Sequence, residues 1–328
     1  MPAPPVLLLT RREVSDLFDE GAAFEAVERA FRARADGEAL ATALLHVDAP
    51  AGEVHVKAGG VLPYLGLKAN TGFFGNPARH GLPAIQGLIV LFDAERGTPV
   101  AVMDSTVITL LRTGAATAVA ASRLAPAGAR RLAIVGTGRQ AEVQLHAVAR
   151  VSTIERVDLI GRDADRVALR AEALAAATGL DVRPTTDVAA TAEADIVVTV
   201  TPATAPVLFA RHVRAGAFVA GVGADSPHKH ELAVDLIARA TVIADVREQV
   251  LAVGDTHHAV VAGAVGPEHV AAELGDVLTG RHPGRSTPTE TIVFDSTGTA
   301  LQDVASAAAV LERARAEGVG REVDLLGS

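Results

Sequence analysis

The chain has 328 residues, 49% of them hydrophobic and 21% charged, which suits one large domain or two ordinary ones. A formal net charge of −9 argues against a nucleic-acid-binding surface, and the lack of cysteine excludes disulfides, thiolate metal sites and a cysteine nucleophile. No uncharged apolar run reaches the roughly 18 residues of a membrane span, and residues 1–9 lack a basic signal-peptide start. We therefore expect a cytoplasmic protein that contacts neither membrane nor nucleic acid.

The first third of the sequence mixes helical and strand patterns. A capping-box pattern at Thr10 and Glu13 predicts a short helix near the start. A change to short apolar pieces, broken by glycine and proline, indicates strands further on. In chain order, the predicted elements are helices over 11–18 and 22–35, then short strands within 41–67. Those strands are broken at Ala49-Pro50, Gly59-Gly60 and Leu62-Pro63. Strands over 87–93 and 99–103 and a helix over 109–124 follow.

From residue 131 onward, strands and helices alternate at regular intervals. Such alternation is typical of a parallel sheet with helices on both faces. The predicted strands cover 131–135, 156–160, 182–185, 196–199, 218–221, 240–244 and 291–295, and the predicted helices cover 139–150, 163–178 and 301–317.

A glycine turn joins the strand over 131–135 to the helix that follows it. Its sequence is Gly136-Thr137-Gly138-Arg139-Gln140-Ala141. The first glycine permits a tight turn, the second lets the backbone approach a pyrophosphate, and the small Ala141 lets helix and strand pack closely. The helix N-terminus adds free N–H groups and a partial positive charge. This context predicts a nicotinamide dinucleotide site, the alternative being a tight turn without a ligand.

The next strand bears on the choice between the two nicotinamide cofactors. An NAD-selective site usually carries an acidic residue at this strand end to hold the ribose hydroxyls. This chain has Gly161 there, followed by Arg162, which suits a 2′-phosphate. The pattern slightly favours NADP(H) over NAD(H). Asp163 keeps NAD(H) open, and its other interpretation is a helix cap.

The fold class that follows is α/β, with two domains. We predict a Rossmann-like NAD(P)-binding domain over 126–299. The remaining segments, 1–125 and 300–328, are predicted to form a discontinuous α+β domain that binds the substrate.

Lys57, Lys68 and Arg112 lie in stretches of the first domain that are otherwise apolar or small. Arginine binds a carboxylate bidentately and lysine binds it as a point charge, so these residues are candidate substrate ligands; solvated surface positions are the alternative. Asp225 follows an apolar strand and a glycine turn, which suits a general acid/base, or a turn or cap aspartate. The spacings of His228 with His230, and of His257 with His258, do not match metal ligation, and we expect no metal.

Taken together, these stretches resemble the ornithine cyclodeaminase/mu-crystallin family. The matching segments follow the family order over nearly the whole chain: 66–68, 81–87, 104–113, 136–141, 221–232 and 298–303. The resemblance implies a homodimer whose first domains join through their sheets. It also implies a small amino or imino acid as the substrate.

The resemblance also assigns roles to single residues. It implies that Lys68 and Arg112 hold the substrate's carboxylate or reacting centre, and that Asp225 acts as acid/base beside the nicotinamide. Lys57 is a further candidate substrate ligand, because the family's early-strand arginine has no counterpart in residues 41–46. The predicted cofactor-binding residues are Gly136, Thr137, Gly138, Arg139, Gln140, Arg162, Thr199, Thr201, Val222, Gly223 and Thr299.

The predicted activity is hydride transfer between NAD(P)(H) and the α-carbon of a small amino or imino acid. The favoured form is a cyclic ketimine reductase, such as a pyrroline-2-carboxylate reductase, or an enzyme resembling alanine dehydrogenase. One alternative is an ornithine cyclodeaminase with recycled NAD, in which Glu53 is a candidate for recognising the δ-amine. Another is a non-catalytic, crystallin-like protein that binds nucleotide and ligand.

Overall fold

The structure is a computed structural model that describes residues 5–325 and 327. The chain divides into two compact units. The first contains the residues up to Arg112 together with those from Thr299 onward, and the second is Thr113–Gly298. Within the described residues, no helix combines the length and the apolar character needed to cross a membrane.

The helices and strands are numbered in chain order. The first run is β1 Val6–Leu9, α1 Arg11–Leu17, α2 Glu20–Ala35, β2 Ala39–Ala49, β3 Gly52–Val61, β4 Tyr64–Gly72, α3 Asn76–His80, β5 Ile85–Asp93, β6 Pro99–Asp104 and α4 Thr106–Leu124. The second run is β7 Arg131–Val135, α5 Arg139–Val151, β8 Arg156–Ile160, α6 Ala164–Thr178, β9 Asp181–Thr185, β10 Ile196–Thr199, β11 Phe218–Gly221, α7 Val234–Arg239, β12 Thr241–Ala244, α8 Arg247–Val253, α9 Asp255–Val261, β13 Val270–Glu273, α10 Leu274–Leu278 and β14 Ile292–Asp295. The last elements are α11 Ala300–Glu317 and β15 Arg321–Val323.

The first unit is built on a seven-stranded sheet of order β15-β1-β6-β5-β4-β3-β2, in which only β1 and β6 run parallel. Helix α11 packs closely on β3 and β4. A Cβ at Gly59 would lie 3.0 Å from the Ala300 Cβ, and one at Gly66 would lie 2.9 Å from the Val304 Cγ2. The predicted break at Gly59-Gly60 is therefore wrong. These glycines continue β3 and make room for neighbouring groups.

The second unit is a doubly wound parallel sheet of order β13-β12-β14-β11-β10-β7-β8-β9. The predicted α/β class is confirmed. Buried apolar side chains, such as those of Ile134, Val197 and Val219, fill its strands, as expected for a sheet covered on both faces. The strand order reverses between β7 and β10, and the crevice outside this point is where such sheets bind ligands.

Helix α4 continues from the first unit into the second. A Cβ at Gly114 would lie 2.6 Å from the Val143 Cγ1 and 3.2 Å from the Ala147 Cβ of α5, so this part of α4 packs against the nucleotide-domain helix. The predicted boundary near residue 125 instead placed α4 wholly in the first domain. The apolar pattern of α4 is uninterrupted, so the sequence gives no sign that the boundary between the two units lies within this helix.

Candidate active site

The glycine turn after β7 has the shape of a phosphate-binding loop. Gly136 has φ 128°, and a Cβ there would lie 2.7 Å from the Val200 carbonyl oxygen, so a larger residue is excluded. Gly138 is the N-cap of α5, and a Cβ at this position would meet nothing within 4 Å. The N-cap of α5 is thus a glycine, which offers no side-chain hydrogen bond to the start of this helix. This arrangement fits the pyrophosphate of a dinucleotide.

A buried glutamate ties together the ends of β10 and β11. Glu231 is fully buried, and its Oε2 accepts hydrogen bonds from the Thr199 hydroxyl at 2.8 Å and from the Gly223 N–H at 2.6 Å. Its Oε1 accepts the Thr201 N–H at 2.6 Å. Burial raises the pKa of Glu231, while these hydrogen bonds act to lower it. The carboxyl group thus fixes the crevice beside the switch point, and the roles predicted for Thr199, Thr201 and Gly223 stay predictions.

Further buried carboxyl groups hold the neighbouring loops. Asp255 accepts two backbone N–H groups, including that of Glu231 at 2.7 Å, and Asp245 accepts the Gly298 N–H at 2.8 Å. Asp295, the last residue of β14, accepts from both the N–H and the hydroxyl of Thr256. Burial raises the pKa of Asp255 well above its usual value and that of Asp295 to about 7. These carboxyl groups accept hydrogen bonds from loop backbone, so they fix the loops at the ends of the strands.

Asp225 lies in the loop that follows β11. Its Oδ1 lies 2.5 Å from the Lys229 Nζ, and its side chain is 37% exposed, compared with 15% for Lys229. A carboxylate is therefore present and accessible at the carboxyl end of this strand, where the sequence predicted an acid/base. Its catalytic role stays a prediction.

Two of the three predicted cations of the first unit contact one buried carboxylate, and the third pairs with one of them across neighbouring strands. Lys57 and Lys68 are direct partners across β3 and β4, and with Arg112 they are each at most 6% exposed. The Lys68 Nζ lies 2.7 Å from the Asp303 Oδ2, and the Arg112 Nε lies 3.0 Å from the Asp303 Oδ1. The interpretation of these lysines as solvated surface residues is wrong. An arginine and two lysines buried together are donors that match a carboxylate ligand.

The pKa values of this cationic cluster follow from burial and from its charges. Burial lowers the pKa of Lys68 to about 7; Asp303 opposes that shift, while Arg112 and Lys57 add to it. Burial acts to raise the pKa of Asp303, but Lys68 and Arg112 outweigh it, and the pKa is lowered. Asp303 is thus held as the carboxylate, and Lys68 titrates near neutral pH.

This titration predicts proton uptake when a carboxylate binds. Above about pH 7, much of Lys68 is neutral in the free protein, and a bound anion favours the ammonium form and raises its pKa. We expect a substrate-like carboxylate to take up close to one proton at about pH 8 and almost none at about pH 5.5. Affinity should therefore weaken as the pH rises above about 7. Calorimetry in buffers of different ionisation enthalpy measures the uptake. Equal uptake by K68M would contradict the assignment.

Asp303 and Glu231 are the functional candidates that sequence reasoning did not identify. Both lie in segments that carry the family resemblance, yet no role was assigned to either. Asp303 is an acidic residue in the first turn of α11, a position that helix-dipole effects alone explain. Glu231 follows Lys229 and His230 in a polar run that resembles a solvated loop. Only the folded contacts reveal that both are buried.

The end of β8 shows why no acidic residue stands at the usual ribose-binding position. A Cβ at Gly161 would lie 2.7 Å from the Val167 Cγ2 and 2.8 Å from the Thr137 Cγ2, which leaves no room for a side chain. Asp163 is the N-cap of α6, and its Oδ1 accepts the Arg166 N–H. Its interpretation as a helix cap is confirmed. Arg162 is exposed beside it.

The model of the ornithine cyclodeaminase/mu-crystallin family matches residues 6–318. The chain belongs to this family. This member is 36% identical over 320 residues to the alanine dehydrogenase of Archaeoglobus fulgidus, covering 97% of this chain and 98% of that protein. It is also 36% identical over 332 residues to the iminosuccinate reductase of Paracoccus denitrificans, covering 98% of this chain and all of that one.

Solved structures of family enzymes have the same fold. An archaeal alanine dehydrogenase dimer with bound NAD matches with a TM-score of 0.93 at 35% identity, covering 98% of this chain and 99% of that chain. The P. denitrificans iminosuccinate reductase with NAD⁺ matches with a TM-score of 0.90 at 34% identity, covering 98% of this chain and 100% of that one. The Δ1-pyrroline-2-carboxylate reductase of Thermococcus litoralis was solved with NADH and L-proline. It matches with a TM-score of 0.90 at 29% identity, covering 97% of this chain and 100% of that chain.

Proposed function

We propose that this family member is an NAD(P)H-dependent oxidoreductase that transfers hydride to or from the α-carbon of a small amino or imino acid. Its favoured direction is the reduction of an imine. The observation that carries the proposal is the buried cluster in which Lys68 and Arg112 contact Asp303 while Lys57 pairs with Lys68 on the adjacent strand. A substrate carboxylate supplies the anion that this cluster favours. The names of the three relatives described above point to the same class of reaction.

Separate groups of residues would bind the cofactor, bind the substrate carboxylate and transfer the proton. When bound, the dinucleotide supplies or accepts the hydride. The turn over 136–141, with the N-terminus of α5, would hold its pyrophosphate. Arg112 and Lys68, together with Lys57, would bind the carboxylate and fix the α-carbon for transfer. Asp225 would donate a proton to the substrate nitrogen or take one from it or from an attacking water.

The presence of Lys57 supports a mode of carboxylate binding in which a lysine takes the place of the arginine expected of the family. Lys57 is buried beside Lys68 on the adjacent strand, so it would supply a charge in place of the early-strand arginine that residues 41–46 lack. A lysine binds as a point charge and sets no bidentate orientation. Cyclic ketimines and open-chain imines of α-keto acids are therefore both substrate classes to be tested.

Arg162 supports NADP(H) as the preferred cofactor, whereas the three solved relatives hold NAD or NADH. Its exposed guanidinium follows Gly161, which stands where an NAD-selective site usually carries an acidic residue. We expect R162A to lower kcat/KM for NADPH about tenfold or more, in line with the loss of about 1.5–3 kcal/mol from a charge-assisted contact. The value for NADH should change little. Steady-state kinetics with both cofactors measure this, and an equal loss for both would contradict the assignment.

The proposed assembly is a cytoplasmic homodimer. Exposed apolar side chains of the first unit support it, among them Leu45 at 57%, Leu88 at 52% and Phe74 at 61% exposure. Exposed apolar groups of this kind mark interaction surfaces. The archaeal relative described as a dimer is consistent with such an assembly. The absence of cysteine suits a cytoplasmic location.

A cofactor-oxidation assay tests the function. Purified protein is mixed with NADPH, and separately with NADH, and with a panel of imines that includes cyclic ketimines, iminosuccinate, and pyruvate plus ammonia. Loss of the reduced-nicotinamide absorbance with one imine supports a reductase and identifies the cofactor. Release of ammonia from ornithine with a catalytic amount of NAD, and with no net change in the reduced cofactor, would mean that the protein is a cyclodeaminase and not a reductase. Binding of cofactor and ligand without turnover would indicate a non-catalytic, crystallin-like binding protein.

A further inference from the structure

Two histidines and a glutamate meet on the hairpin formed by β2 and β3. His46 and His55 are direct cross-strand partners, and Glu53 precedes His55 by two residues on the same face of β3. The His46 Nδ1 lies 3.2 Å from the His55 Nε2, and the His55 Nε2 lies 3.3 Å from the Glu53 Oε1. One ligand atom from each residue lies within 4.8 Å of the others. These residues form a group separate from the cationic cluster.

The spacing of these atoms matches the edges of a zinc coordination polyhedron. Zn²⁺ binds imidazole nitrogen and carboxylate oxygen at about 2.0–2.2 Å, and the edge of a tetrahedron is about 1.6 times the bond, or about 3.3–3.5 Å. Two of the three edges are already close to this length. The side chains are also partly withdrawn from water, with exposures of 29% for His46, 17% for Glu53 and 13% for His55. Partial burial strengthens the attraction between a cation and the carboxylate.

An outer carboxylate orients one of the imidazoles. The His46 Nε2 lies 2.9 Å from the Asp48 Oδ1, so a proton on Nε2 is favoured and the Nδ1 lone pair is left facing the His55 Nε2. Metal-binding histidines almost always have such a partner on the second ring nitrogen. Asp48 lies on β2 opposite Glu53, so the hairpin register itself supplies both the ligand and its orienting group.

We propose that His46, Glu53 and His55 form a binding site for a borderline divalent metal, with Zn²⁺ the best match. Two imidazoles and one carboxylate are the donor set that this class of ion prefers. Three protein ligands leave a fourth position for water or for an oxygen of a small acid. Lys57 follows His55 by two residues, so the site shares a strand face with the cationic cluster. The inference is independent of the proposed hydride transfer.

Metal titration of chelator-treated protein tests the site. Zn²⁺ is titrated by calorimetry, and Co²⁺ is followed by the visible absorption of a four-coordinate ion. We expect one such site per chain. H46A, H55A and E53Q should each weaken binding at least about tenfold. D48N should weaken it by less than any of these, because the Asp48 side chain is 91% exposed.

Two histidine variants act as matched controls. H80A removes an exposed imidazole from α3, and H258A breaks the stacked pair that His230 and His258 form in the second unit. Neither should change the affinity of the site. Loss of binding in H258A with retention in H46A and H55A would overturn the proposal, as would the absence of binding in the unaltered protein. Circular dichroism melts without metal identify any variant that misfolds, and H46Q and H55Q then replace the alanine variants.

Discussion

Replacing Asp303 by alanine should lower the free energy of unfolding by about 3–5 kcal/mol, the usual cost of removing one partner from a buried ion pair. Asp303 is 1% exposed and carries the charge that Lys68 and Arg112 both contact. Without it, Lys68 and Arg112 lose the carboxylate that both of them contact. The loss should be measurable by urea unfolding followed by circular dichroism near pH 7.

Two comparisons make the Asp303 test specific. D303N keeps the shape of the side chain but not its charge, so its loss should approach that of D303A if charge is decisive. D16A removes an exposed carboxylate from α1 and should change stability by no more than about 0.5 kcal/mol. A loss below about 1 kcal/mol in D303A would mean that the cations are not balanced by this carboxylate.

Replacing Asp225 by asparagine should lower kcat by about 10²- to 10⁴-fold, the range attributed to general acid–base catalysis. The amide has nearly the same shape as the carboxylate but cannot accept the proton. Binding of the dinucleotide should change by less than about twofold, because the glycine turn at 136–141 is untouched. Steady-state kinetics and a fluorescence titration with reduced cofactor measure the two effects.

The ion pair of Asp225 provides the control for this variant. K229M leaves the carboxylate in place but removes the lysine that lies 2.5 Å from it. A large loss in D225N with a small one in K229M identifies the carboxylate as the reacting group. An unchanged kcat in D225N would remove Asp225 from the mechanism, and equal losses in both variants would indicate that the ion pair shapes the loop instead.

Much of the fold could be predicted because its strongest signals are local. The strands at 131–135, 156–160, 196–199 and 218–221 were predicted with the bounds that the structure has, since each is a short apolar run between turn residues. The capping box at Thr10 is present as predicted. The one-turn and two-turn helices α7–α10 were not predicted, because so few residues carry no clear periodicity. Strands β1 and β15 were missed because their pairing partners are distant in sequence.

In the candidate site, too, the features set by local sequence could be predicted and those set by distant contacts could not. Local context predicted the phosphate-binding turn and marked Lys57, Lys68 and Arg112 as unusual cations. It did not reveal that Asp303 joins them, since its contact with Lys68 links residues more than two hundred positions apart. The pairing of His46 with His55 also depends on hairpin register. Charge balance and shared ligand geometry are properties of the folded chain, and a single sequence does not display them.

Transfer of deuterium from the cofactor tests the central claim most directly. Once an active imine is known, the reaction is run with NADPH or NADH deuterated at C4 of the nicotinamide, on the face that the enzyme uses, and the amino acid product is examined by mass spectrometry. The proposed reductase places one deuterium on the α-carbon for each cofactor oxidised. Product without label, or label that stays with the cofactor while ammonia is released, would contradict net hydride transfer to the α-carbon.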